Sequence, residues 1–327
     1  VHADPLRRAL RHGRAPRRGG GRGQALSGAP AGRALGELDG TLLVFGGPYG
    51  NLEALEALLG EARRCGIPPA RMICTGDVAA YCADPQACAD RLRGEGIAVV
   101  MGNCEESLGA DAADCGCGFA EGSACERLSL DWFAYCRAAL DASAKSWMAA
   151  LPRRLELGLA GRRLAVIHGG ASAINHFIFA SAPAREKRRE LELAGAEGVI
   201  AGHCGLPFSE LVGTKLWHNA GTIGMPANDG TPRVWFSLLE ADAGGIRVSH
   251  HALAYDHATA ARKMRERGLP EGYAACLLDG LWPSCDILPP RERAARGAPL
   301  APRSLLWPSC RRAAALDKPA ARPNMAR

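Results

Sequence analysis

The 327-residue chain reads as an α/β protein with buried, parallel strands, and three observations carry that reading. Short apolar runs alternate with segments of helical periodicity. Five of the runs stop at a glycine paired with a polar residue or a turn: Gly46-Gly47, Gly76-Asp77, Gly102-Asn103, His168-Gly169 and Gly202-His203. Apolar residues make up 47% against 23% charged, which is enough to bury a sizeable core. No run of about 18 apolar residues occurs, so no membrane-spanning helix is expected.

Thr41–Phe45 (TLLVF) is an apolar run closed by Gly46-Gly47-Pro48, hence a buried strand and a loop. Leu52, Leu55, Leu58, Leu59 and Ala62 then recur at helical spacing as far as Cys65, and Gly66 stops them. Met72–Thr75 reads as a second strand, Cys88–Arg93 as a helix and Ala98–Met101 as a third strand. Residues 104–130, rich in Cys, Gly and acids, read as a loop. A helix is predicted over Asp131–Leu151, with Trp132, Tyr135, Cys136, Leu140 and Trp147 on it. Leu155–Leu159 and Arg163–Ile167 read as strands about Gly161. Arg185–Leu193 is a charged helix, Val199–Ala201 a strand, and Val234–Leu239 with Ile246–His250 a late hairpin. Ala258–Arg267 is a helix, and the folded body fades after Trp282.

The formal charge of +6 is unevenly placed. Residues 1–40 carry eight Arg against Asp4, Glu37 and Asp39, a net +5. Residues 291–327 carry eight Arg and Lys318 against Glu292 and Asp317, a net +7, which leaves −6 for residues 41–290. Both ends are short of apolar periodicity, and the second is broken by seven prolines from Pro289 to Pro323. Such segments bury too little surface to offset chain entropy and read as disordered basic tails. An Arg-rich, acid-poor start is also the composition of a transit peptide or an RNA-binding arm. The acidic body argues against nucleic acid as a partner except through those tails. Thirteen Cys, an odd number in a long chain without an export signal, fit a reducing, cytoplasmic location better than a disulfide scaffold.

In an open α/β sheet, ligands collect outside the carboxyl ends of the strands. Asp77, Asn103, His168 and His203 all follow strand ends, and carboxylate, amide oxygen and imidazole are ligands for a divalent transition metal such as Mn, Fe or Zn. A lone His after a strand is more often structural, and a Gly-Asp pair is usually a turn; four such residues at successive strand ends are hard to assign to chance.

The segments around them are FGGPYGNLEAL at 45–55, TGDVAAYCADP at 75–85, VMGNCEES at 100–107, IHGG at 167–170, AGHCGLPF at 201–208 and NAGTIGMPANDGTPR at 219–233. In order and spacing the chain resembles the calcineurin-like metallophosphoesterases over about residues 41–255. The resemblance implies a four-layer αββα sandwich with metals at the sheet rim. It implies four parts: a basic tail (1–39), the phosphoesterase-like domain (40–255), a helical extension (256–290) and a Pro/Arg-rich tail (291–327).

The departures from the family pattern are informative. The family opens with Asp-x-His, both first-metal ligands, where this chain has Gly47 and Tyr49. It closes with Gly-His-x-His, whose last His also serves the first metal, where this chain has Gly205. The second-metal set is whole: Asp77, Asn103, His168 and His203. The expectation is one divalent metal per chain and hydrolysis of a small phosphomonoester or phosphodiester, with Asn103, Cys104 and His168 in catalytic positions. The family's phosphate-contacting His is replaced by Cys104, whose neighbours Glu105 and Glu106 oppose a thiolate. Tyr49, Asn51 and Cys204 are candidate substrate-pocket residues, with Tyr49 equally suited to filling the lost metal position. The alternative is a non-catalytic nucleotide- or phosphate-binding regulatory protein on a degenerate scaffold.

Weaker features remain. Cys115, Cys117 and Cys125 could bind zinc but lack an evident fourth ligand. The His250-His251 doublet reads as an exposed strand end. His176, Phe177 and Phe179 either shape a pocket or pack. Leu281-Trp-Pro-Ser-Cys285 recurs as Leu306-Trp-Pro-Ser-Cys310.

Overall fold

Two six-stranded sheets lie face to face between helical layers in the computed structural model, which describes residues 32–309. The first sheet contains β2 (Thr41–Phe45), β3 (Met72–Cys74), β4 (Ala98–Val99), β10 (Val234–Asp242), β11 (Gly245–Leu253) and β12 (Arg303–Pro308). Its order is β12-β11-β10-β2-β3-β4. The second contains β1 (Arg33–Leu38), β5 (Leu155–Leu159), β6 (Arg162–Val166), β7 (Gly198–Ala201), β8 (Phe208–Val212) and β9 (Lys215–Asn219). Its order is β1-β5-β6-β7-β9-β8. The parallel strands β2-β3-β4 form one end of the first sheet and β6-β7-β9 the middle of the second, with antiparallel pairs beside them and a parallel β1-β5 pair at one edge, so the sheets are mixed rather than wholly parallel.

The alternation of the strands divides the core. Leu42 and Val44 of β2 meet Leu155, Leu157, Leu164 and Ile200 between the sheets. Leu43 and Phe45 point to the opposite face and pack under helices α1 (Leu52–Arg64), α2 (Pro85–Glu95) and α7 (His257–Glu266). Helix α6 (Ala184–Ala194) covers the far face of the second sheet through Leu191 and Ala194 against Val199 and Trp217. This is the αββα sandwich. In α1, Leu55 and Leu58 are fully buried, and each such side chain stabilises by roughly 1.5–3 kcal/mol. Arg63 and Arg64 sit in its last turn, where cations complement the helix dipole.

Four expectations are corrected. The 104–130 segment is not all loop: α3 (Asn103–Gly109) opens it, and α4 (Ala124–Ala139) starts early because the Ser123 hydroxyl accepts from Glu126 N–H at 3.1 Å. The single helix predicted over Asp131–Leu151 breaks at Leu140. Asp141 there accepts from Ala144 N–H at 2.7 Å and caps α5 (Ala142–Ala149). The hairpin of β8 and β9 was not predicted, since its strands carry too few apolar residues to show a run; Gly213 turns it at φ +65°. The basic ends contribute structure. Residues 33–38 pair with β5 as β1, and residues 303–308 pair with β11 as β12, with Trp307 1% exposed in the inter-sheet core. The chain therefore does not fade after Trp282: α8 (Glu271–Asp279), α9 (Pro290–Ala294) and β12 follow or flank it. The rest of the predicted tails, residues 1–31 and 310–327, lies outside the described residues. No helix among the described residues is long and apolar enough to cross a membrane.

Candidate metal centre and its cleft

Four loops at the carboxyl ends of β3, β4, β6 and β7 bring Asp77, Asn103, His168 and His203 to the sheet rim. The loop holding Asp77 is tightly constrained. Asp77 sits in the left-handed region at φ +58°, after Gly76 at φ +93°. The buried carboxylate of Glu105 fixes it, accepting the N–H groups of Asp77 and Gly102 on Oε2 (2.7 and 2.9 Å) and of Val78 on Oε1 (2.7 Å). Only glycine fits at Gly102, because a Cβ there would overlap Asp77 Oδ1. A non-glycine residue held at positive φ by its surroundings is the kind of local strain that collects at working sites.

The hydrogen bonds assign the roles of the ring nitrogens. His168 Nδ1 lies 2.6 Å from the Thr75 carbonyl, an acceptor only, so this nitrogen donates. Nε2 then faces Asp77 Oδ2 at 3.2 Å, Asn103 Oδ1 at 3.1 Å and His203 Nδ1 at 2.9 Å. Asn103 is oriented by its own amide, which donates to the Cys115 carbonyl at 2.8 Å and contacts Cys117 Sγ at 3.2 Å. Ligand atoms of Asp77, His168 and His203 all lie within 4.8 Å of one another, and all three residues are buried. These four polar atoms converge on one point away from water, so either a proton on His168 Nε2 or a metal cation must stand among them; burial lowers His168, but Asp77 outweighs it and raises the imidazole. The donor set fits a divalent transition metal.

Charge around the centre follows the same geometry. Burial by itself would raise the Asp77 carboxyl, but His168 and His203 outweigh it and hold Asp77 below the usual carboxylate range. Burial, then His168, pushes His203 down to about 3, so it is a neutral ligand. Burial and Asp77 push Glu105 up, against its amide bonds.

The other predicted residues separate. Asn51 is fully buried and serves the fold: its Oδ1 accepts from Ala54 N–H at 3.1 Å as the cap of α1, and its Nδ2 donates to the Gly224 carbonyl at 3.1 Å. It is not among the residues lining the cleft. Cys104 is 1% exposed and also not a lining residue; its backbone N–H donates to Asp77 Oδ1 at 3.2 Å. A bond with Cys117 pulls its thiol down, but burial and the charge of Asp77 outweigh this and raise it. Cys204 does line the cleft, with its thiol pushed up to about 12 by burial.

Tyr49 fills the position that the family's first carboxylate would take. A Cβ on Gly47 would overlap the Tyr49 ring. Trp282 covers the other vacated place, 3.5 Å from where a Cβ on Gly205 would stand. The cleft beside Asp77 and His203 is walled by Tyr49, Tyr81, Phe119, Phe177, Tyr273 and Trp282. Tyr49 and Phe177 are pocket candidates in the sequence and Trp282 lies in its repeated Leu-Trp-Pro-Ser-Cys segment, whereas Tyr81, Phe119 and Tyr273 carry no such signal, since an isolated aromatic has no pattern.

Phe177 stacks at 4.1 Å on His203, while Phe179 is buried behind it and His176 turns away to Glu186 (2.9 Å). Cys115 and Cys117 approach to 2.7 Å, but among the described residues they and Cys125 form no three-ligand group. His250 is not exposed: it is buried between Ser209 and Ser237, at 3.0 Å from each.

No curated protein matches the chain. Among solved structures, a metallophosphoesterase from Sphaerobacter thermophilus is similar with a TM-score of 0.58 and 23% identity, over 75% of this chain and all of that one. The hypothetical protein PH1004 from Pyrococcus horikoshii OT3 is similar with a TM-score of 0.62 and 16% identity, over 74% of this chain and 99% of that one. Both share the fold. The family model of the calcineurin-like phosphoesterase superfamily domain matches residues 50–244, more than half of the chain. With the two-sheet sandwich and the Asp-His-His centre at its rim, this places the chain in the calcineurin-like phosphoesterase superfamily.

Proposed function

We propose that the protein is a metal-dependent phosphoesterase that works with a single divalent transition metal, Mn, Fe or Zn, on a small phosphorylated substrate. The observation that carries this is the convergence of His168 Nε2 with Asp77 Oδ2, Asn103 Oδ1 and His203 Nδ1, with the far nitrogen of His168 committed to the Thr75 carbonyl. Those four residues would hold the metal, which supplies Lewis-acid activation of water and of the phosphoryl group.

The chain's own part is positioning. Thr75 fixes the tautomer and orientation of His168, as a partner beyond the ligands commonly does. Glu105 locks the Asp77 and Gly102 loops together. Phe177 shields His203 from water. Asn103 Oδ1 and His168 Nε2 reach the centre from inside the fold, while Asp77 and His203 are the members of the set that line the cleft. Cys104 packs behind Asp77 as a neutral thiol and presents the backbone N–H that Asp77 accepts.

The ring filling the position at Gly47 and the missing side chain at Gly205 favour a second reading, a non-catalytic phosphate- or nucleotide-binding protein on the same scaffold. Elemental analysis joined to an aryl phosphodiester assay separates them. About one metal per chain with turnover, both abolished in His203→Ala, supports the enzyme; metal without turnover on a broad ester panel supports the binding protein. Metal-free protein whose stability ignores chelators overturns both. The twelve described cysteines are free thiols, which supports a reducing, cytoplasmic compartment.

A further inference from the structure

We propose that the cleft beside Asp77 and His203 selects a monoanionic phosphodiester carrying a flat aromatic or apolar ester group over a dianionic phosphomonoester; this rests on the single-metal reading above. The first ground is charge. Of the residues lining the cleft, none is Lys or Arg, and the charged side chain among them is the carboxylate of Asp77. One divalent cation beside that carboxylate leaves one net positive charge, since His168, His203 and Asn103 as ligands are neutral. A phosphodiester brings one negative charge and balances it. A phosphomonoester near neutral pH brings close to two, and the surplus would sit against apolar walls, where an unpaired charge is costly. The carboxylate of Glu105, behind Asp77 and outside the cleft wall, can only make the surroundings more negative, which weighs further against a dianion.

The second ground is shape. The positions emptied of first-metal ligands hold rings, and those rings are fixed before any ligand arrives. Trp282 donates its indole N–H to the Pro226 carbonyl at 2.7 Å and its backbone N–H to Asn228 Oδ1 at 2.8 Å. Tyr81 packs on Tyr49 and Tyr273 with centroids 4.9 and 4.7 Å apart. Phe177 lies on His203. Aromatic walls held in this way favour a flat or apolar group attached to the phosphate. Tyrosine hydroxyls add hydrogen-bond donors without adding charge.

Binding and turnover are read separately on the full-length protein loaded with Mn²⁺. Diphenyl phosphate and phenyl phosphate are titrated at pH 7.5 by calorimetry and by quenching of tryptophan fluorescence. The expected result is diphenyl phosphate bound about tenfold more tightly or better, a difference of about 1.4 kcal/mol. Ser284→Lys puts an ammonium on a half-buried lining position and should narrow that ratio several-fold. Trp282→Phe should weaken diphenyl phosphate while leaving inorganic phosphate unchanged. Hydrolysis of bis(4-nitrophenyl) phosphate against 4-nitrophenyl phosphate is measured in parallel. A diester preference in binding without turnover sinks the enzymatic reading and keeps this one. Equal or tighter binding of phenyl phosphate, or no binding of either ester, overturns the proposal whatever the turnover.

Discussion

The two sides of the candidate metal centre stand at one rim of the sandwich, where strand ends of both sheets meet, and are made from the same kind of strand-end loop, yet they have opposite chemistry. On one side Asp77, Asn103, His168 and His203 keep their polar atoms within bonding distance of one another. On the other, Gly47 and Gly205 present no side chain; the Tyr49 ring occupies the space over Gly47, and Trp282 lies within van der Waals reach of Gly205 in the cleft wall. A ligand deleted from a buried rim leaves a void, and voids are costly in proportion to their volume. The difference teaches that the lost half is filled by a ring at Gly47 and has become aromatic cleft wall at Gly205, so the two halves now answer to different rules: ligand geometry on one side, ring packing on the other.

The contrast breaks first if the polar half is not a ligand set. Asp77→Asn removes its carboxylate while keeping its shape, and bound metal should fall from about one per chain to background, a loss of at least roughly 100-fold in affinity. Elemental analysis and a competitive chelator titration read this directly; unchanged metal content would refute the assignment.

A second pair of buried imidazoles sharpens the same point. His218 and His250 are bridged by the Ser209 hydroxyl, at 2.9 and 3.0 Å, and face no carboxylate in that network. Burial pushes His250 down to about 4 and His218 well below its ordinary value. Between the unfolded value of about 6.5 and pH 4 the unfolded chain takes up protons that the folded chain refuses, so stability falls as pH falls through that window. The loss should be on the order of 3 kcal/mol from His250 by about pH 4, seen in urea melts across pH. His250→Gln should flatten the slope, and chelation of metal should leave this part of it unaltered.

The packed half makes a smaller prediction. Gly47→Asp drives a side chain into the Tyr49 ring, so it should destabilise by about 1–3 kcal/mol and recruit no second metal. The double variant Gly47→Asp/Tyr49→His opens the space and should recover most of that loss in the same melts. A single Gly47→Asp variant of wild-type stability with two metals bound would erase the contrast between the halves. The smallest effect belongs to Cys104→Ser, a near-isosteric change at a site away from the cleft wall. Metal content should hold, and stability should move by about 1 kcal/mol or less.

Much of this was legible in the sequence because it is local. Leu52, Leu55, Leu58 and Leu59 fall on one helical face without help from the rest of the chain, and α1 ends at Arg64, just ahead of the Gly66 stop. The strand-end placement of Asp77, Asn103, His168 and His203 was legible for a related reason: a glycine beside a polar residue at the end of an apolar run marks the rim of a sheet. Other features needed distant partners. Nothing near residues 303–308 foretells a strand, since β12 exists only because β11 offers it an edge and the inter-sheet core receives Trp307. Asn51 carries the same motif signal as a pocket residue, yet its amide is consumed by Ala54 and Gly224.

By itself, then, the sequence determined most of the strands and helices of the body and the residue types at positions 47, 49, 77, 103, 168, 203 and 205, because periodicity and chain order depend on neighbours along the chain. The tertiary structure decided which atom of each ligand faces the centre, that the basic ends supply edge strands, and that rings from residues 49, 81, 177, 273 and 282 wall one cleft. Those outcomes are set by contacts between residues far apart in the chain, and burial and hydrogen-bond geometry arise only when such residues meet.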